Sequence, residues 1–141
     1  MIMKPSFFLL IFLLSVVNLQ AQYSLSISIT TKKEQGEILM GLFNGPDQYL
    51  EEGALMRHCH KQIEGNIIIC KWDDLPAGKC SAAVLIDENG NKKMDFSWIG
   101  WPKEAYGFYP DPGFLMRKPK WKECNFELKE DLEVELILRN Q

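Results

Sequence analysis

Ser24-Leu25-Ser26-Ile27-Ser28-Ile29-Thr30 alternates small polar side chains with Leu and Ile. A period of two is the pattern of a strand with one face in a core and the other in water. Working outward, a polar turn at Lys32–Glu37 leads into the apolar run Ile38–Phe43, and Asn44-Gly45-Pro46-Asp47 breaks that run before a predicted helical turn at Gln48–Glu52. Five more short segments follow: Ala54–Gln62, Asn66–Trp72, Lys79–Ile86, Lys122–Leu128 and Leu132–Arg139. No segment after the amino-terminal stretch sustains an apolar period of 3.6, so α/β folds lack their helices. Short, interrupted strands need a second sheet to bury their apolar faces. The expectation is an all-β fold, a single antiparallel β-sandwich of about seven strands.

One stretch resists strand regularity. Asp87–Trp121 holds four prolines and Phe96, Trp98, Trp101, Tyr106, Phe108, Tyr109 and Phe114. So many aromatics argue for a packed, functional connection. Trp98, Trp101, Tyr106 and Tyr109 form a candidate platform for a sugar ring or a peptide. The competing reading has them covering one open end of the sandwich.

The chain opens with an export signature. Lys4 supplies a positive start, Phe7–Val17 is an apolar run of about eleven residues, and Asn18-Leu19-Gln20-Ala21 gives a polar break ending on a small residue. The run is too short to span a bilayer, which takes about 20 residues. A signal peptide over 1–21, cleaved after Ala21, leaves one domain over 22–141, with no membrane span, in the periplasm or at the outer surface of a Gram-negative cell. Loss of Lys4 takes the net charge from −3 to −4. With acids and bases mixed throughout, nucleic acid is excluded as a partner.

Export permits disulfides, and Cys59, Cys70, Cys80 and Cys124 allow two bridges with three connectivities. A hairpin turning at Glu64-Gly65 would set Cys59 opposite Cys70 at a hydrogen-bonded position. There the Cα atoms lie about 5.5 Å apart and the side chains diverge, which counts against that pair. Sequence leaves the connectivity open, along with the alternative that some or all four are buried thiols.

Asp87-Glu88-Asn89-Gly90-Asn91-Lys92-Lys93-Met94-Asp95 carries oxygens at the spacing of a calcium loop, with Asp87, Asn89, Asn91, the Lys93 carbonyl and Asp95 as candidate ligands. Lys92 stands where such loops place Gly, and Trp98 where they place a bidentate Glu. The alternative is a turn whose Asp and Asn side chains bond their own backbone. His58 and His60 share one face of a strand and lack a visible third metal ligand. Nucleophile elbows and phosphate-cradling glycine loops are absent. Acid pairs such as Glu51-Glu52 fall in turns, so the expectation is a protein without catalytic residues and with no cofactor beyond calcium.

Asp74-Leu75-Pro76-Ala77-Gly78, the Asp87–Asn91 loop and Gly100-Trp101-Pro102-Lys103-Glu104-Ala105-Tyr106-Gly107-Phe108 together resemble the exported bacterial family named domain of unknown function 2141, of the Bacteroidetes type. Gly41-Leu42-Phe43-Asn44, Pro119-Lys120-Trp121 and Phe126 extend the likeness over nearly the whole chain after the leader. The resemblance implies a prealbumin-like or immunoglobulin-like sandwich and carries no established activity. Ile86 replaces a His frequent in that pattern, and the cysteines are particular to this chain. The expected role is an accessory or binding module of the cell envelope, with a protein or glycan partner, or a calcium-stabilised structural domain.

Overall fold

A computed structural model describes residues 19–141; most of the expected leader, residues 1–18, lies outside the described residues. Among the described residues eight strands form two sheets, and no helix is long and apolar enough to cross a membrane. The strands are β1 (Gln22–Thr30), β2 (Glu37–Phe43), β3 (Leu55–Gln62), β4 (Ile67–Pro76), β5 (Gly78–Asp87), β6 (Tyr106–Tyr109), β7 (Phe126–Leu128) and β8 (Leu132–Leu136).

β1 is the centre of a three-stranded sheet ordered β4-β1-β8. Its alternation does what the sequence predicts: Leu25, Ile27 and Ile29 are fully buried, while Ser26 and Ser28 face outward. The second sheet runs β3-β2-β5-β6, with β7 pairing the start of β5. From it Ile38, Met40, Leu42, Ala82, Val84 and Ile86 meet the β1 side chains in one core. Each buried Leu, Ile, Val or Met side chain among them contributes about 1.5–3 kcal/mol, so the inward rows of β1, β2 and β5 dominate the stability.

Four expectations are corrected. The strand count is eight, because Tyr106–Tyr109, inside the stretch read as one long connection, pairs with Ala82–Leu85 as β6. The sheets are not wholly antiparallel, since β8 runs parallel to β1, Leu25 opposite Leu132 through Ile29 opposite Leu136. The helical turn falls later, as a 3₁₀ turn at Glu52–Ala54, and a second 3₁₀ turn at Trp121–Glu123 replaces the first residues of the expected strand Lys122–Leu128.

The fourth correction concerns the cysteines. β3 and β4 are not a hairpin: β3 pairs with β2 in one sheet and β4 with β1 in the other, so the chain crosses between sheets at residues 63–66. Cys59 and Cys70 both point inward and join as a disulfide between the sheets, with Cα atoms 6.1 Å apart. The geometric objection held only for neighbours in one sheet. Cys80 and Cys124 are buried free thiols.

The sandwich is thus tied along both long sides. On one, the disulfide links the edge strands β3 and β4. On the other, the chain leaves β8 and joins β6, where the Tyr106 N–H donates to the Arg139 carbonyl (3.1 Å) and the Arg139 N–H to the Tyr106 carbonyl (2.6 Å). Gly107 permits this approach: a Cβ there would stand 2.5 Å from the Ile137 carbonyl oxygen.

Candidate functional site

The two outer faces differ in chemistry. Outside the three-stranded sheet lie Ser26, Ser28, Thr30, Glu133 and Glu135, with Ile67 and Ile69 toward the β4 edge. Outside the other sheet, registry builds two rows across four strands. His60, Leu39, Leu85 and Tyr106 form one; His58, Gly41, Ala83 and Phe108 form the other. Small residues at the middle of the second row lower the floor, and Leu55 leans across Gly41 so closely that any Cβ there would collide with it.

Three chain segments raise walls around this floor. Met94, Phe96, Ile99 and Trp101 form one wall, Leu115, Met116 and Pro119 another, and Leu50 with Leu55 a third. They enclose an open trough of about 790 Å³, with charged side chains, among them Lys93, Lys118 and Glu51, around the lining. That volume is in the range of small-molecule sites, as is the pattern of apolar lining with few polar groups.

The first wall is a tight hairpin. The Ser97 N–H donates to the Trp101 carbonyl (2.7 Å), the Gly100 N–H to Ser97 (2.9 Å) and the Lys103 N–H to Asp95 (2.8 Å). Trp98 and Ile99 sit at its tip, Trp98 97% exposed, with Phe96 50% and Trp101 45% exposed lower down. Of the four aromatic residues expected to make a platform, the structure brings Trp101 and Tyr106 to the trough, Tyr106 edge-on to Phe108 with ring centroids 5.9 Å apart. Trp98 projects beyond the lining. Tyr109 faces the other way, since one residue along a strand reverses the side chain, and packs edge-on against Phe126 at 5.1 Å.

Leu39, Leu85, Phe108 and Met116 belong to the trough and were not expected from the sequence. A signal for two of them exists in Ile38–Phe43 and Ala82–Ile86, which are unbroken apolar runs where β1 alternates. Such runs belong to strands covered on both faces.

The Asp87–Asp95 segment closes on itself. Asp87 is 2% exposed, its carboxylate accepting the Gly90 N–H (2.8 Å) and the Lys92 N–H (2.7 Å). Asn89 Oδ1 accepts from Asn91 N–H (3.1 Å) and Asn91 Oδ1 from Lys93 N–H (2.9 Å). The Asp95 carboxylate takes the side-chain amides of Asn89 and Asn91. Sequence reading passed over Glu104, which is buried and accepts the backbone N–H groups of Glu88 (3.2 Å) and Asp95 (3.3 Å), tying the two ends of the loop together. Among the described residues no three His, Cys, Asp or Glu side chains are gathered as a metal-holding group. The imidazoles of His58 and His60 stand side by side on exposed β3, centroids 5.1 Å apart.

Neither free thiol is activated. Cys80 points into the core from β5, and burial pushes its thiol up to about 12. Cys124 lies on the opposite side of that strand, donating to the Pro110 carbonyl (2.9 Å) and contacting Ser81 Oγ (3.6 Å), which also bonds Tyr49 Oη (2.7 Å). Burial raises both the Cys124 thiol and the Tyr49 phenol, so this cluster stays protonated near neutral pH and offers no nucleophile.

The profile of a bacterial family described as "Uncharacterized protein conserved in bacteria (DUF2141)" matches residues 27–135. No curated protein and no solved structure matches the chain.

Proposed function

The chain belongs to the bacterial DUF2141 family, and for this member we propose a binding function: an exported, non-catalytic accessory domain of the cell envelope whose trough receives an elongated ligand with an apolar body. One observation carries the reading. A sandwich normally presents polar outer faces, as the β1 sheet does apart from Ile67 and Ile69 at its β4 edge, whereas Leu39, Ala83, Leu85 and Phe108 form an apolar floor between built walls. An apolar surface of this kind marks an interaction site. The apolar leader and the disulfide support the exported setting, because such bridges persist in oxidising compartments.

Titration of the purified protein with Nile red, a dye that brightens in apolar sites, tests the proposal. Saturable binding is expected, and Leu85→Lys, which sets a charge on the floor without entering the core, is expected to abolish it while the circular dichroism spectrum is retained. Dye binding that survives Leu85→Lys, or none in the parent protein, refutes it.

A further inference from the structure

We infer that the ligand of the trough is an anionic amphiphile, an acyl chain ending in a carboxylate or phosphate; the inference rests on the binding function proposed above. The floor selects the body. Its apolar side chains are Leu39, Ala83, Leu85 and Phe108, with side-chain polar atoms on Tyr106 at one end and on His58 and His60 at the β3 end, of which His58 stands outside the trough lining. A glycan entering such a trough would strip water from many hydroxyls and find few partners, whereas a methylene chain leaves nothing unpaired. Trp101, Phe96 and Ile99 on one side, and Leu115 and Met116 on the other, extend the apolar contact upward.

The rim selects the head. Lys92 and Lys93 precede the hairpin wall, and Arg117 and Lys118 follow Met116 on the second wall. Lys92 is held by Glu37 (3.1 Å) and Arg117 by Glu123 (2.7 Å). Among the described residues Lys93 and Lys118 have no ion pair, and both side chains belong to exposed residues. Glu51 and Glu52 stand at the third wall, which orients an anionic head toward the lysine-bearing walls. The chain as a whole is acidic, with net charge −3, so attraction of an anion here is a local property of this rim.

Dye displacement below the micellar range reads both parts of the inference. Laurate and dodecyl phosphate are compared with uncharged dodecanol and with maltohexaose. A charge-assisted contact to one or both lysines is expected to make laurate or dodecyl phosphate bind about tenfold more tightly than dodecanol. The comparison of the two anions tells a carboxylate head from a phosphate. Lys93→Glu/Lys118→Glu is expected to erase the preference. Equal binding of both anions and dodecanol, a preference that survives the double substitution, or displacement by maltohexaose in preference to laurate overturns the anionic amphiphile while leaving the trough as a binding site. Failure of the dye itself to bind removes both readings.

Discussion

Two carboxylates show how much a single side chain organises here. Asp87 ends β5 facing away from the core, yet is nearly inaccessible because its oxygens take the Gly90 and Lys92 N–H groups. Asp87→Ala leaves those donors without acceptors in a part-buried loop, at about 1–3 kcal/mol, and urea denaturation is expected to show a loss of that size. A change below measurement error would mean that water replaces the carboxylate freely. Glu123 acts at the surface. Hydrogen bonds from Arg117, then the Lys120 N–H, hold its carboxyl down at about 2, against an ordinary 4.5. A carboxyl lowered by folding stabilises the fold above its unfolded value and loses that contribution as pH falls through its folded value. The contribution of Glu123 is therefore complete above about pH 4.5 and fades toward pH 2. Glu123→Gln is expected to flatten the fall of melting temperature across that window, and an unaltered pH profile would remove the pair from the account.

At the scale of elements, alternation found β1 and the short segments found β2, β3, β5, part of β4, and β7 and β8, because periodicity is a local property. The part found of β4 ends at Trp72, short of Pro76, whereas the segments read for β7 and β8 contain those strands whole and overrun them. What periodicity does not carry is partnership. Glu64-Gly65 reads as a hairpin turn, but the strands on either side are claimed by β2 and β1, whose apolar faces must close over one core. The parallel pairing of β8 with β1 joins segments more than a hundred residues apart in sequence, so no turn could announce it. β6 escaped notice because Tyr106-Gly107-Phe108-Tyr109 is short and lies among prolines. With it went Phe108, a quarter of one floor row, although Trp101 and Tyr106 were legible from their aromatic character. The crossing of β3 to β4 makes a definite prediction about the thiols. Ellman's reagent is expected to find almost none in the native protein, since Cys80 and Cys124 are buried, and two after unfolding without reductant. Four would show that the inter-sheet bridge is absent. Reducing the bridge frees a short loop and is expected to cost roughly 2–3 kcal/mol in a denaturant titration.

At the scale of the molecule, the trough depends on how the sandwich is closed. Its floor spans β3, β2, β5 and β6, so the sheet must keep β6 in place, and β6 is only four residues long. Beyond its pairing with β5, β6 is held by the segment after β8, through the reciprocal Tyr106 and Arg139 backbone bonds and the buried Leu138. Asn140 donates to the carbonyls of Pro102 (2.7 Å) and Glu104 (3.2 Å), so the same segment also braces the base of the hairpin wall. The Arg139 side chain adds an ion pair with Asp111 (2.8 Å). Burial works to raise the Asp111 carboxyl, but the Arg139 contact and the Gly113 N–H outweigh it and hold the carboxyl below the ordinary range. Backbone and side chain can be separated experimentally. Arg139→Ala keeps the bonds to Tyr106 and is expected to cost under about 1 kcal/mol, as a solvent-reachable surface pair should. Deleting residues 138–141 removes the burial of Leu138 and both backbone bonds, on the order of 3–5 kcal/mol. That is a large part of the stability of a domain this size, about 5–15 kcal/mol. Because β6 then loses its outer support, the truncated protein is expected to lose Nile red binding at urea concentrations where Arg139→Ala still binds. Equal dye binding by the two proteins would mean that pairing with β5 alone fixes Tyr106 and Phe108, and that the carboxyl-terminal segment closes the sandwich without shaping the trough.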